Sequence, residues 1–160
     1  MVIPRTAATI EQVWSWLEQV PDPEIPVLSV VDLGIVRDVA WASDDEEDLV
    51  VTITPTYSGC PATQVIAADI ERTLRSQGIE RLHIKTQIAP PWTTDWISTS
   101  GRDKLRRYGI APPQRRRDPV ACPRCGSAST VRVSEFGSTP CKALYKCQDC
   151  LEPFDYFKCL

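Results

Sequence analysis

Seven cysteines are the residues of this 160-residue chain best suited to chemistry, and they are unevenly spread. One, Cys60, lies in the first 121 residues, and six crowd into the last 39. Cys122 and Cys125 form a C-x-x-C knuckle, Cys147 and Cys150 form a second, and 21 residues separate the two. A two-residue gap lets both sulfurs of a knuckle turn onto one ion. Two knuckles close a tetrahedral cage of four thiolates, with zinc–sulfur distances near 2.3 Å. With all four positions taken by sulfur, no site is open to a substrate water, so a structural role is expected.

The segments between the knuckles, STVRVSEFG and KALYKC, alternate enough to be short strands, and the whole reads as a zinc ribbon. Some 40 residues bury too little apolar surface to hold a fold, so the metal supplies the missing stability. Iron in the same cage would make a rubredoxin-like electron carrier, and colour separates the two metals. Cys141 and Cys159 stand outside the knuckles. Three readings stay open for them: small packed residues, a second thiolate pair for a soft metal, or a disulfide.

Cys60 sits in PTYSGCPAT, immediately before Pro61, and Pro suits the first turn of a helix. Its sulfur is then expected among the unpaired N–H groups at the positive helix end. Such a setting favours thiolate, as a nucleophile or as a ligand for soft metal or an iron–sulfur cluster. The plainer role is a small residue at a helix start. Thr54, Thr56 and Ser58 offer hydroxyls nearby, and DPEIPVLSVVDLG supplies Asp22, Glu24 and Asp32 on a proline-stiffened loop. These carboxylates either order the loop or line a pocket near Cys60. His83 is the one histidine; it falls on the polar side of an alternating strand and has no partner for acid–base work.

The elements that must position these groups are legible in outline. Thr9 with Gln12 predicts a capping box, followed by Ile10, Val13, Trp14 and Leu17 at helical spacing. Strands are expected at 35–42 and 49–54 around an acidic turn at 43–48. A helix is expected from Pro61 to Gln77, closed by Gly78, with Ile66, Ile70 and Leu74 on its apolar face and Val65 beside it. A strand follows in which Leu82, Ile84 and Ile88 alternate with Arg81, His83, Lys85 and Gln87. A last helix is expected at 95–108. The fold class is therefore α+β, sandwich-like, in the order helix-strand-strand-helix-strand-helix, with a C-terminal zinc ribbon. The expected domains are 1–110 and 122–160, joined by a Pro- and Arg-rich linker at 111–121 that contains Arg115, Arg116 and Arg117.

Charge divides with the cysteines. Residues 1–110 carry 10 Lys/Arg against 16 Asp/Glu, net −6, and residues 111–160 carry 8 against 5, net +3. That is too little positive charge for a nucleic-acid footprint. No apolar run approaches the roughly 18 residues of a membrane span, and the first residues lack a signal-peptide pattern. The odd cysteine count argues against a disulfide framework, and a reducing cytoplasm is expected. There is no GxGxxG, Walker loop or HExxH motif.

DPEIP–VLSVVDLGIV followed by TPTYSGCPAT, set among these elements, resembles the SufT-like family of iron–sulfur assembly domains over about residues 8–90. Across the full length, APPWTTDWIS–GRDKLRRYGIAPP and the ribbon's CPRCG, STPCKALYKC and CLEPFDYFKC are similar to the accessory-protein family of bacterial ring-1,2-phenylacetyl-CoA epoxidase systems. The resemblance implies an assembly factor, not an oxygenase. Its client would be a metal centre of the epoxidase, foremost the iron–sulfur cluster of the reductase, with a di-iron site as the alternative. It further implies Cys60 as the reactive or cluster-contacting cysteine, with iron or a cluster bound transiently beside structural zinc. The partners implied are epoxidase subunits or the iron–sulfur assembly machinery, with neither nucleic acid nor membrane. Whether two copies share a cluster as a homodimer stays open. A protein-interaction module built on the ribbon and a rubredoxin-like electron-transfer component are the alternatives.

Overall fold

The computed structural model describes residues 8–42, 48–57, 60–114 and 118–159. Residues 43–47 of the expected acidic turn at 43–48, Ser58 and the triple arginine 115–117 lie outside the described residues. The chain divides into two compact units, residues 1–98 and 99–160.

In the first unit the Thr9 capping box forms as its residue types dictate. Gln12 N–H donates to Thr9 Oγ1 at 3.2 Å, and Thr9 N–H donates to Gln12 Oε1 at 2.9 Å. Helix α1 (Ile10–Leu17) buries Val13 and Leu17. Strands β1 (Val36–Trp41) and β2 (Leu49–Ile53) pair antiparallel, with a bulge between Val36 and Asp38. Helix α2 (Ala62–Ser76) then carries the chain across to β3 (Leu82–Thr86), which lies parallel to β2, giving the sheet order β1-β2-β3. Ala62, Ile66, Ile70 and Leu74 recur every four residues and form the buried stripe of α2. Val65 is 47% exposed and belongs to the outer face. Gly78, at φ 93°, ends the helix in the left-handed conformation that glycine adopts without penalty. β3 stops two residues before Ile88, which is 71% exposed; Leu82 and Ile84 are half-buried on this edge strand.

The expected single helix at 95–108 is two pieces. A short 3₁₀ turn, Thr94–Trp96, ends at an extended Ile97, and helix α3 runs from Thr99 to Arg107. Long-range contacts impose the break: Ser98 N–H donates to the Asp32 carbonyl at 2.8 Å, and Ser98 Oγ lies 3.3 Å from Asp32 Oδ1. Trp92 Nε1–H donates to the Leu33 carbonyl at 2.8 Å. Gly34, at φ 70°, backs so closely onto Trp96 that a Cβ would stand 2.5 Å from its carbonyl oxygen.

The second unit holds α3, β4 (Ile110–Ala111), β5 (Thr130–Ser134), β6 (Lys142–Cys147) and β7 (Pro153–Phe157). Its sheet order is β4-β7-β6-β5, with β4 parallel to β7 and the other pairs antiparallel. Its core is Ala111, Val120, Cys122, Ala143, Cys147, Phe154 and Tyr156, with Tyr145 packed against it. Tyr145 stacks on Phe154 at 5.9 Å and meets Tyr156 edge-on at 5.3 Å. The division after Ser98 differs from the expected boundary at 110. Ala111, Pro112 and Pro113, read from composition as linker, are buried in this unit. Arg102 Nη1 donates to the Pro113 carbonyl at 3.0 Å, and Gln114 N–H donates to the Tyr156 hydroxyl at 3.2 Å. Among the described residues no helix is long and apolar enough to cross a membrane.

Candidate metal centre and thiol site

The two knuckles are built alike. In the first, Gly126 N–H donates to the Cys122 carbonyl and Cys122 N–H to the Ser127 carbonyl, both at 2.9 Å. In the second, Cys147 N–H donates to the Glu152 carbonyl at 3.0 Å, and Cys150 N–H donates to Cys147 Sγ at 3.5 Å. The residue after each second cysteine takes positive φ: 77° at Gly126 and 65° at Leu151. Side chains join the knuckles, Ser127 Oγ–H to Asp149 and Ser129 Oγ–H to Gln148 Oε1.

These turns bring four sulfurs within 4.8 Å of one another. Cys122 and Cys150 are 3.8 Å apart, and Cys125 and Cys147 are 3.6 Å apart. A regular tetrahedron with metal–sulfur bonds near 2.3 Å has edges of about 3.8 Å, so the donor set and its spacing fit zinc. Cys122 and Cys147 face the core, while Cys125 and Cys150 face solvent. In the metal-free cage the backbone N–H of Cys150 pulls the Cys147 thiol down to about 7, aided by the Asp149 N–H. The Glu152 N–H favours thiolate at Cys150, but desolvation and the neighbouring sulfurs outweigh it and push this thiol up to about 12.

In the first unit, the loop after β2 delivers Cys60 to the start of α2, where it is 9% exposed. Pro61 occupies the N-cap position, so the helix starts one residue later than expected, and no side chain caps it. Thr63 N–H donates to the Cys60 carbonyl at 3.2 Å. Cys60 lines a cavity of about 10 Å³, the room needed by one water. Asp22, Glu24, Thr56 and Thr63 share its wall, and Ile35, Ile53 and Ile66 supply apolar lining.

The structure thus gathers four of the residues singled out in the sequence: Asp22, Glu24, Thr56 and Cys60. Asp22 is 6% exposed, and its Oδ1 accepts the N–H groups of Glu24 at 2.9 Å and Ile25 at 2.7 Å. It holds the loop that carries Glu24 to the cavity. Asp32 is not among the residues lining it. Its Oδ2 accepts Ser29 N–H at 3.1 Å, its own N–H donates to Ser29 Oγ at 3.0 Å, and Ser98 takes up the rest of the turn. Asp32 orders the loop before β1. Thr63 is a lining residue that sequence reading passed over; its place in the first turn of α2, three residues after Cys60, was the available signal. Thr54 Oγ1 is buried with no hydrogen-bond partner among the described residues. His83 is exposed on β3, 3.7 Å from an Asp48 carboxylate that Arg81 holds at 2.7 Å and 3.0 Å, and it lines no part of the cavity.

Residues 10–81 match the family model described as iron-sulfur cluster assembly protein, and residues 111–158 match the PaaD zinc beta ribbon domain. An Escherichia coli (strain K12) protein named as a candidate 1,2-phenylacetyl-CoA epoxidase component is 47% identical over 157 residues, covering 94% of this chain and 93% of its own. This chain belongs to that family of epoxidase components. In this chain an assembly-type match precedes a ribbon match, and the two flank the division seen in the fold. The first part also has relatives without the ribbon. The Fe-S protein maturation auxiliary factor YitW of Bacillus subtilis (strain 168) is 35% identical over 100 residues, 61% of this chain and 86% of its own. A crystal structure of a DUF59 domain from Bacillus anthracis superposes with a TM-score of 0.53 at 29% identity, covering 59% of this chain and 89% of that one. This chain therefore carries the DUF59 fold over the matched part.

Proposed function

We propose that this protein is an accessory factor that delivers iron or a nascent iron–sulfur cluster to the metal centre of a phenylacetyl-CoA epoxidase, the reductase's cluster first among its clients. The observation that carries this reading is the placement of one thiol, Cys60, against the Asp22 and Glu24 loop in a cleft with room for one water. Resident clusters are held by four protein ligands, usually thiolates. A single cysteine at a cleft this small leaves the remaining ligands to a donor, a client or a second copy. Binding of that kind is labile, which suits hand-over and unsuits storage. The names of the ribbon-free relatives, maturation auxiliary factors, support the same reading for the first unit.

In this account Cys60 Sγ is the transient ligand, Asp22 fixes the loop, and Glu24 offers an oxygen donor at the same wall. Zinc in the four-thiolate cage holds the ribbon together, and the ribbon docks the client or the assembly machinery. The protein catalyses no reaction itself and works in the cytoplasm. The test is Cys60→Ser in cells or in a reconstituted epoxidase. Client activation should fall to the level without the accessory protein, while circular dichroism and zinc content stay at wild-type values. Full epoxidase activity with the variant would overturn the proposal.

A further inference from the structure

Among the described residues the two sheets have four edge strands, and three of these are blunted against further pairing. β1 carries a bulge between Val36 and Asp38, β5 carries one between Arg132 and Ser134, and β4 is two residues long. The fourth, β3, lies in unbroken parallel register with β2, from Leu82 opposite Leu49 to Thr86 opposite Ile53, and has neither bulge nor proline. Hydrogen bonds at its two ends fix which backbone groups are already used. Leu49 N–H donates to the Arg81 carbonyl at 2.9 Å, and Gln87 N–H donates to the Ile53 carbonyl at 2.8 Å. Residues that bond to one neighbour alternate along a strand, so Arg81, His83, Lys85 and Gln87 turn to β2. Leu82, Ile84 and Thr86 turn their N–H and C=O groups outward, and no described strand pairs with them. Three donors and three acceptors thus stand along about 13 Å of open edge.

The side chains define what fits there. Leu82 and Ile84 share a face with their register partners Leu49 and Val51, which are fully buried. They carry that apolar face one strand further out, where they are only half-buried. On the other face Arg81, His83 and Lys85 are all exposed. Asp48 answers the first two, at 2.7 Å from Arg81 and 3.7 Å from His83. Lys85 has no ion-pair partner among the described residues. A second copy of the chain fits this edge poorly. When the outward groups of two β3 strands meet antiparallel, the facing side chains on the polar side come from Arg81, His83, Lys85 and Gln87, a set without a carboxylate.

We propose that the β3 edge is a docking site for an extended segment of a partner protein in which apolar and acidic residues alternate. The backbone of the segment completes the ladder with Leu82, Ile84 and Thr86, and this supplies the affinity. Its apolar side chains lie beside Leu82 and Ile84, and its carboxylates lie beside His83 and Lys85, which selects acidic over basic segments. Thr86 stands opposite Ile53, a residue of the Cys60 cavity wall, so the docked segment runs to the end of the sheet that holds that cavity. The surface stands whether or not Cys60 carries metal.

The test adds a short synthetic peptide of alternating glutamate and valine to the zinc-loaded full chain and follows the backbone amides by NMR. Saturable shifts should centre on residues 82–88, and deuterium exchange at the Leu82, Ile84 and Thr86 amides should slow. A peptide of alternating lysine and valine should bind about tenfold more weakly, and Lys85→Glu should narrow or reverse that preference. Thr86→Pro removes one outward donor and leaves the bonds to β2 in place, so affinity for the glutamate peptide should drop about tenfold. No shift of the β3 amides up to about 1 mM peptide, equal binding of the two peptides, or shifts confined to the basic second unit would overturn the proposal. Slow exchange of the three amides before any peptide is added, together with the mass of a dimer, would give the edge to a second copy and overturn it equally. The wild-type titration decides the question even where a variant fails to fold.

Discussion

Gly126 and Leu151 hold equivalent places, each just after the second cysteine of its knuckle and each at positive φ. An L-residue in this conformation is strained by roughly 1–2 kcal/mol, and glycine is not. Leu151 is 64% exposed, so it has little burial to lose. Leu151→Gly should therefore leave the thermal midpoint of the zinc-loaded ribbon unchanged or raise it by a few degrees, the glycine's extra chain entropy offsetting part of the gain. Gly126→Ala should lower the midpoint by an amount matching about 1 kcal/mol, although a Cβ there meets no atom within 4 Å. Calorimetry of the two variants checks both signs. At this scale the knuckles were legible because their chemistry depends on spacing within four residues. The choice among Asp22, Glu24 and Asp32 was not. Ser98, 66 residues along the chain, engages Asp32 in the turn, and no local pattern announces that contact.

At the scale of elements, each knuckle is a turn whose backbone N–H groups tune its sulfurs, and zinc must displace the protons those sulfurs keep. With Cys147 near 7 and Cys150 near 12, the empty cage still holds protons at neutral pH. Zinc affinity should rise with pH. It should fall more steeply below about pH 7, where Cys147 also holds its proton against the metal. Competition against a chromogenic chelator at about pH 6 and pH 8 measures this, and an affinity that is flat with pH would contradict the assignment. The helices show why element boundaries were unevenly legible. Thr9 and Gln12 announce α1 because a capping box is local, and the i, i+4 stripe announces α2. The break at Ile97–Ser98 was hidden because the bonds that pull the chain out of helix come from the loop before β1. Likewise β3 ends short of Ile88 although the alternation continues through it.

At the scale of the molecule, the division after Ser98 sharpens a contrast that the composition showed faintly. Residues 1–98 carry 6 Lys/Arg against 15 Asp/Glu, net −9, and residues 99–160 carry 12 against 6, net +6. The linker composition masked this boundary, because prolines 112 and 113 read as a spacer whereas they are buried in the second unit. The units also differ in what holds them. The first has helices α1 and α2 packed on a three-stranded sheet, while the second relies on a small core that includes two of the cage cysteines. A strong chelator should therefore melt the second unit and spare the first. In amide spectra, the signals of β5–β7 should collapse while those of α1, α2 and β1–β3 persist. Loss of both sets together would show that the first unit depends on the metal.

The central claim, that Cys60 is a transient iron or cluster ligand, is tested most directly by anaerobic reconstitution. Wild type and Cys60→Ser are offered iron and sulfide, freed of unbound metal, and assayed together for iron, sulfide and zinc, then for activation of the apo-reductase. The account predicts iron or cluster on the wild type and its transfer to the reductase. It predicts neither on Cys60→Ser, with equal zinc on both. Equal iron loading and equal reductase activation by the two proteins would contradict it.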